Sequence, residues 1–287
     1  MAGDLRVMAS ARPGRIAMPA RADVAALAKP EAFERWNAGV RSASAGDNVI
    51  TMYDVIGEDW WTGGGVTVNR VDAALRKIGG QDVEVHINSP GGDMFEGIAI
   101  YNRLREHPAS ITVKVMGLAA SAASIVAMAG DEILIGAASF LMIHDCWVLA
   151  MGNRHELAET STWLEPFDSA MADVYASRSG LSKAEVAAMM DAETWMSGGQ
   201  AVERGFATGL LDAEQIEEDA AVTEQARAFN AVRQTEIGLC KSMSRSEARG
   251  LIAKIKGTPG AAPDAKPDAG APAWLGAAAQ LAQSLRS

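Results

Sequence analysis

Val115-Met-Gly-Leu-Ala-Ala-Ser-Ala-Ala-Ser-Ile-Val-Ala-Met-Ala-Gly130 carries the strongest structural signal in the chain. Its first residues end a strand predicted from Ile111 to Met116, and the run from Ser121 has helical composition. Ser121 therefore falls at a strand-to-helix turn, among small side chains. A serine held at such a turn projects from the backbone while the first N–H groups of the helix face any oxyanion formed beside it. The same run of Ala, Gly and Ser also suits a helix packed closely against a sheet, and taken alone it favours that plainer reading. The rest of the chain decides between the two.

Outward from this stretch, strands and helices alternate. Val49-Ile-Thr-Met-Tyr-Asp-Val-Ile56 alternates as a strand, and Val66 to Lys77 has the apolar period of an amphipathic helix. Val83-Glu-Val-His-Ile-Asn88 is a strand, and Gly91-Gly92 leads into a helical run from Met94 to Arg105. After the Ser121–Ala129 helix come two short strands, Glu132 to Ile135 and Phe140 to Ile143. This alternation predicts an α/β fold with a mostly parallel sheet joined by βαβ crossovers. Beyond it, His155 to about Ser179 reads as one long helix. Leu181-Ser-Lys-Ala-Glu185 opens another, with Ser182 as N-cap and Glu185 three residues on. Ser197 starts a short helix ending at Gly205, followed by a strand near Leu210-Leu211.

Three regions follow from this reading: a flexible or processed leader over 1–47, an α/β domain over 48–238, and a low-complexity tail over 239–287. In the tail, Gly257 to Pro272 is a Pro/Ala/Gly linker with too little apolar surface to fold. Trp274 to Leu285 reads as a frayed end, with a short docking helix as the alternative. No internal repeat is found.

The 287 residues are 48% apolar with a formal net charge of −10, and the mean hydropathy is near zero. That balance excludes a basic nucleic-acid footprint and a polybasic membrane patch. Val115 to Gly130 is too short and too small-sided for a membrane span, and the Arg-bearing N-terminus has no continuous apolar core of the secretory kind. Cys146 and Cys240 have no metal-site spacing and suggest no disulfide framework. The expectation is a soluble cytoplasmic protein with no metal, cofactor, nucleic-acid or membrane partner. No phosphate-binding glycine motif is present, so no ATPase of its own is expected.

Four histidines allow elimination. His86 lies in a buried strand, His107 at a helix end before Pro108, and His155 in a polar patch. His144 ends the apolar strand Phe140-Leu-Met-Ile and would project from the sheet edge, where sites of α/β folds lie. A serine hydroxyl needs a neighbouring base, and Ser121 and His144 are 23 residues apart, enough for a helix and two short strands to return the chain to one edge. The base in turn needs a partner that fixes its tautomer. Asp191 and Glu193 are candidates, while Asp145, adjacent to the histidine in an extended segment, points to the opposite face. Gly91-Gly92 after Pro90 can expose backbone N–H groups of the kind an oxyanion hole requires, or can be a plain turn.

In this order, Ile87-Asn-Ser-Pro-Gly-Gly92, Met116-Gly-Leu-Ala-Ala-Ser121, Leu141-Met-Ile-His144 and Ala201-Val-Glu-Arg-Gly205 with Leu211-Asp212 resemble the Clp protease proteolytic-subunit family of serine peptidases. The resemblance spans roughly Val49 to Asp212. Asp59-Trp-Trp61, Gly91-Gly-Asp93, Gly97-Ile-Ala-Ile-Tyr-Asn102, Ala119-Ala-Ser-Ala-Ala-Ser124, Glu193-Thr-Trp195 and the tail past Leu239 look like its phage and prophage branch, the head maturation (prohead) proteases.

The resemblance implies a Clp/crotonase-like fold with a protruding handle helix after Gly152. It makes Ser121 the nucleophile and His144 the general base, with the N–H groups of Gly92 and Ala122 as oxyanion donors. Ser124 has no counterpart nucleophile and is expected to point into packing. An ungapped alignment of Trp195-Met-Ser puts Glu193 at the family's usual aspartate; Asp191 keeps the residue type and is displaced by two. The implied role is cleavage of phage capsid or scaffold proteins, and of the chain's own termini, in the host cytoplasm or inside proheads. A homo-oligomeric ring is implied too, since helix positions Leu164, Phe167, Met171 and Val174 would otherwise be exposed. The docking of a host ATPase is left open. Two rivals share the fold: a crotonase-type acyl-CoA enzyme, and a non-catalytic assembly scaffold.

Overall fold

The computed structural model describes residues 25–43 and 46–255. In chain order the elements are β1 (Ala25–Ala26), α1 (Pro30–Arg35), β2 (Val40–Ser42), β3 (Val49–Met52), α2 (Val68–Ile78), β4 (Val83–Ser89), α3 (Met94–Arg105), β5 (Ile111–Ala120), α4 (Ala122–Ala127), β6 (Glu132–Gly136) and β7 (Phe140–Ile143). They continue with β8 (Val148–Leu149), α5 (Arg154–Ser179), α6 (Lys183–Asp191), β9 (Thr194–Ser197), α7 (Gly198–Glu203), β10 (Gly209–Leu211), a 3-10 turn (Ala213–Gln215), β11 (Ile216–Glu218), α8 (Ala220–Leu239) and α9 (Arg245–Ile255).

β10, β6, β5, β4 and β3 lie side by side and all run parallel. β4 and β5 are central, and Val83, Val85, Ile87, Val113 and Val115 alternate onto the helix-covered face, where they are almost wholly buried. β5 is longer than its pattern predicts, and it forks the sheet. Its first half, Thr112 to Val115, pairs with β6; its last residues, Leu118 to Ala120, pair with β7. β9 then adds antiparallel to β7.

The fork needs a break in the β4–β5 ladder, where the register jumps from Ile87↔Val115 to Ser89↔Ala119. Asn88 fills the gap. Its side-chain oxygen accepts from Leu118 N at 3.1 Å, and its amide nitrogen donates to the carbonyls of Asn37 and Val40 at 2.7 and 2.9 Å. A β-bulge leaves ladder groups unpaired; this side chain satisfies the Leu118 N–H and ties the bulge to β2 and the residue that precedes it.

One face of the sheet carries α2, α3 and α4 in the main core. Asp93 caps α3 by accepting from Phe95 and Glu96 N–H groups, and the Ser182–Glu185 capping box of α6 forms as the spacing predicts. The other face is closed by Leu27, Ala28, Phe33, Trp36 and Ala38, with Ile237 of α8, over Leu118, Ala120 and Met142.

Three expectations differ from what is observed. Residues 25–43, assigned to a leader, carry β1, α1 and β2, because Phe33 and Trp36 complete the second core and Trp36 Nε1 donates to the Asn88 carbonyl at 3.0 Å. The region past Leu239 is not low-complexity at its start: α9 packs Ala248 and Ile252 against Val232 and Cys240. The linker from Gly257 and the segment from Trp274 to Leu285 lie outside the described residues. Finally, Phe167, Met171 and Val174 of α5 are buried within their own chain, and Leu164 is half-buried. The exposed part of the helix is instead its first turns, with Leu157, preceded by exposed Met151.

Candidate active site

Ser121 sits where β5 turns into α4, with φ 56° and ψ −127°. This is backbone that L side chains rarely adopt, and such strain costs roughly 1–3 kcal/mol. It is held by Ser121 N–H donating to the Met142 carbonyl at 3.0 Å, and by Ser124 and Ile125 N–H groups donating to the Ser121 carbonyl. The hydroxyl is thereby turned toward the end of β7, and Ser121 Oγ and His144 Nε2 are 2.7 Å apart.

His144 is buried next to the last residue of β7. Burial of the ring, and then the Lys29 ammonium, pull it down to about 4; the Glu193 carboxylate and a backbone hydrogen bond with Asp145 oppose them. At neutral pH the ring is uncharged and Nε2 can accept a proton.

The β7–β9 register separates the two candidate acids. Ile143, just before His144, pairs with Thr194, just after Glu193, and the Glu193 charge acts on the His144 ring. Glu193 has φ 49°, and its carboxylate is ion-paired with Lys29. Asp191 lies at the end of α6 and engages Asp145 rather than the histidine. Burial, then the hydrogen bond with Asp191 and the charge of Asp168, raise Asp145 to about 7. Cys146 N–H donates to Asp168 at 2.6 Å. The thiol is pushed far up by burial first and then by Asp168, so it is no thiolate nucleophile.

The glycine loop packs directly on this turn. Gly91 has φ 84°, and a Cβ there would come within 2.7 Å of Ser121 Cβ and 3.1 Å of Ala122 N. At Gly92 (φ 153°) a Cβ would strike the Ile56 carbonyl. The bridge to Ile56 uses the Gly91 carbonyl and the Asp93 N–H, at 2.9 and 2.8 Å, and leaves the Gly92 N–H out of it. Ala122 opens α4, where N–H groups have no intrahelical acceptor. Gly92, Ser121 and Ala122 line one small space together with His144.

The other polar residues are accounted for structurally. Ser124 is fully buried, its Oγ donating to the Ser121 carbonyl at 2.6 Å and lying 2.7 Å from the Tyr175 hydroxyl. His86 contacts Glu84 at 2.9 Å, His107 contacts the Gln81 carbonyl at 2.8 Å, and His155 is exposed on α5. Asp59 accepts from Trp61 N–H at 3.1 Å and the Thr62 hydroxyl at 2.7 Å and pairs with Arg233, which explains the acid in Asp59-Trp-Trp61. Cys146 and Cys240 are both free. Among the described residues, no group of three or more His, Cys, Asp or Glu side chains is placed to hold a metal ion, and no helix is long and apolar enough to cross a membrane.

Sequence reasoning missed Lys29 and Leu27. Both lie in the stretch read as leader, where Ala-rich sequence gives no periodic signal; the Pro30-Glu-Ala-Phe-Glu-Arg35 helix start was the available clue.

The parallel sheet, its crossovers and the long α5 are those of the Clp/crotonase-like fold class. The Clp protease family model matches residues 73–214. The ATP-dependent Clp protease proteolytic subunit of one Bacteroides fragilis strain (NCTC 9343) is 30% identical over 151 residues, covering 50% of this chain and 73% of the relative. The corresponding subunit of Deinococcus radiodurans is 28% identical over 134 residues, covering 46% and 66%. Among solved structures, a ClpP1 mutant from Listeria monocytogenes is 17% identical with a TM-score of 0.49, covering 62% of this chain and 95% of that one. The chain belongs to the Clp protease family.

Proposed function

We propose that this chain is a serine endopeptidase with Ser121 as nucleophile, His144 as general base and Glu193 as the acid that orients it. The observation that carries this reading is the 2.7 Å contact between Ser121 Oγ and His144 Nε2, made by a serine held at φ 56°. His144 Nε2 takes the hydroxyl proton as Oγ attacks the substrate carbonyl carbon. The resulting oxyanion accepts from the Gly92 and Ala122 N–H groups. The imidazolium, on which the Glu193 charge acts, returns its proton to the leaving amine, and water then hydrolyses the acyl-serine by the same route. Glu193 is favoured over Asp191 by the β7–β9 register and by Asp191 being engaged with Asp145.

The biological role we propose is phage head maturation, the cutting of capsid or scaffold protein and of the chain's own termini in the host cytoplasm or in proheads. Its support is the set of motifs from Asp59-Trp-Trp61 to Glu193-Thr-Trp195. Assembly into a homo-oligomeric ring through the first turns of α5 accounts for the exposure of Leu157 and Met151. Mass spectrometry of a phage capsid protein co-expressed with the chain is the test. Discrete cleavages that vanish with Ser121→Ala are expected; an uncut capsid protein beside an active peptidase removes the capsid role and leaves the chemistry standing.

A further inference from the structure

β8 begins four residues after His144, so a strand laid antiparallel along it runs toward the Ser121–His144 pair. The chain supplies such a strand itself. β1 pairs antiparallel with β8, Ala25 opposite Leu149 and Ala26 opposite Val148. The next residue, Leu27, is buried and lines the space beside Gly92, Ser121, Ala122 and His144. What is left of that space is about 20 Å³, room for about one water molecule and not for a peptide. Ala28 is buried behind Leu27, and Lys29 is ion-paired with Glu193. Pro30 then opens α1, whose Phe33 packs in the second core and anchors the segment from its far end.

Main-chain pairing along an edge, an apolar side chain in the cleft and a charge on a carboxylate are the contacts by which an extended peptide is recognised. The geometry points to a latent enzyme: Ala25–Lys29 is a strap that occupies the peptide groove along β8, with Lys29 seated on Glu193, and a substrate enters only when the strap leaves. This rests on the serine-peptidase reading above and goes beyond it by naming what fills the groove. A tethered occupant competes at high effective concentration, and the apparent affinity for substrate falls by the fraction of chains with the groove open. The groove is fitted to extended peptides with small residues, then a leucine, then a cation two positions on.

The test uses the full-length chain and two full-length variants. Ala26→Pro removes a main-chain donor from β1, and Lys29→Met removes the charge while keeping the stem. Hydrolysis of an extended fluorogenic peptide and labelling by a small alkyl fluorophosphonate are both followed. Each variant is expected to raise kcat/KM for the peptide by about tenfold or more. A synthetic peptide of the sequence from Asp23 to Glu31 is expected to inhibit the Lys29→Met chain competitively. Variants that hydrolyse at the wild-type rate, while Ser121 is labelled in all three chains, overturn the strap and leave the peptidase intact. Absence of both labelling and hydrolysis in every chain overturns the peptidase reading, and the strap with it.

Discussion

Ser121 and Glu193 are the two non-glycine residues with positive φ among those described, at 56° and 49°, and both border His144: one by a hydrogen bond, the other from the turn before β9, through its charge. Strain of this kind persists only where surrounding structure imposes it. Here the Met142 carbonyl and the α4 turn fix Ser121. Replacing Ser121 with glycine should therefore relieve strain that alanine keeps. Ser121→Gly is expected to be more stable than Ser121→Ala by about 1 kcal/mol, after the greater unfolded-state freedom of glycine is subtracted from the relief. Urea midpoints of the two variants check this.

Ser121→Ala and His144→Ala should each lower peptidase turnover by about 10⁴–10⁶, since members of such a unit are not additive, with little change in melting temperature. Glu193→Gln is expected to slow acylation by about 10²–10⁴, while Asp191→Asn leaves it within a factor of a few. Single-turnover acylation kinetics separate the two carboxylates. Equal effects would remove the assignment of the acid.

Acid should destabilise the chain through His144. Its folded value lies at about 4, below the ordinary 6.5, so between these values the unfolded chain binds the proton and the folded chain does not. Stability from this group is complete above pH 6.5 and is lost as pH falls toward 4, by roughly 3 kcal/mol at full extent. Asp145, raised to about 7, acts with the opposite sign, favouring the fold below its ordinary value and weakening it as pH rises through 7. From pH 4 to 6.5 the two contributions oppose each other in the wild type, whereas His144→Asn leaves that of Asp145 alone, so the stability of the variant, read from urea midpoints, should fall with rising pH relative to that of the wild type.

Arg233 ties α8 to the core. It pairs with Asp54 at 3.1 Å and with buried Asp59, lies 2.7 Å from Asn230, and its guanidinium stands over the rings of Phe33 and Trp36. Burial raises Asp59, but the Arg233 charge and the Thr62 hydrogen bond together bring it below the ordinary value. Arg233→Ala strands that carboxylate and should cost about 3–5 kcal/mol, read as a fall in the urea midpoint.

Much of this was legible in the chain before its structure. The helix from Met94 to Arg105 and the strand from Phe140 to Ile143 begin and end where periodicity put them; the strand is a short apolar run buried on both faces, Leu141 and Ile143 in the main core and Met142 in the second. The pairing of Ser121 with His144 was legible too, since only one histidine ends a sheet strand. β5 ran four residues past its expected end because its last residues, Gly-Leu-Ala-Ala, carry little β propensity and are held by β7. The roles of Asn88 and Lys29 were not legible. Each depends on partners far along the chain, Lys29 on Glu193 164 residues away, and neither leaves a local pattern.

In the proposed mechanism Ser121, activated by His144, is the nucleophile. The most direct test of this assignment is intact-mass and peptide-level mass spectrometry of the full-length Lys29→Met chain after exposure to a fluorophosphonate. One adduct per chain is expected, on Ser121, lost when His144→Ala is added. An adduct on Ser124, or labelling of Ser121 unchanged by His144→Ala, would contradict it.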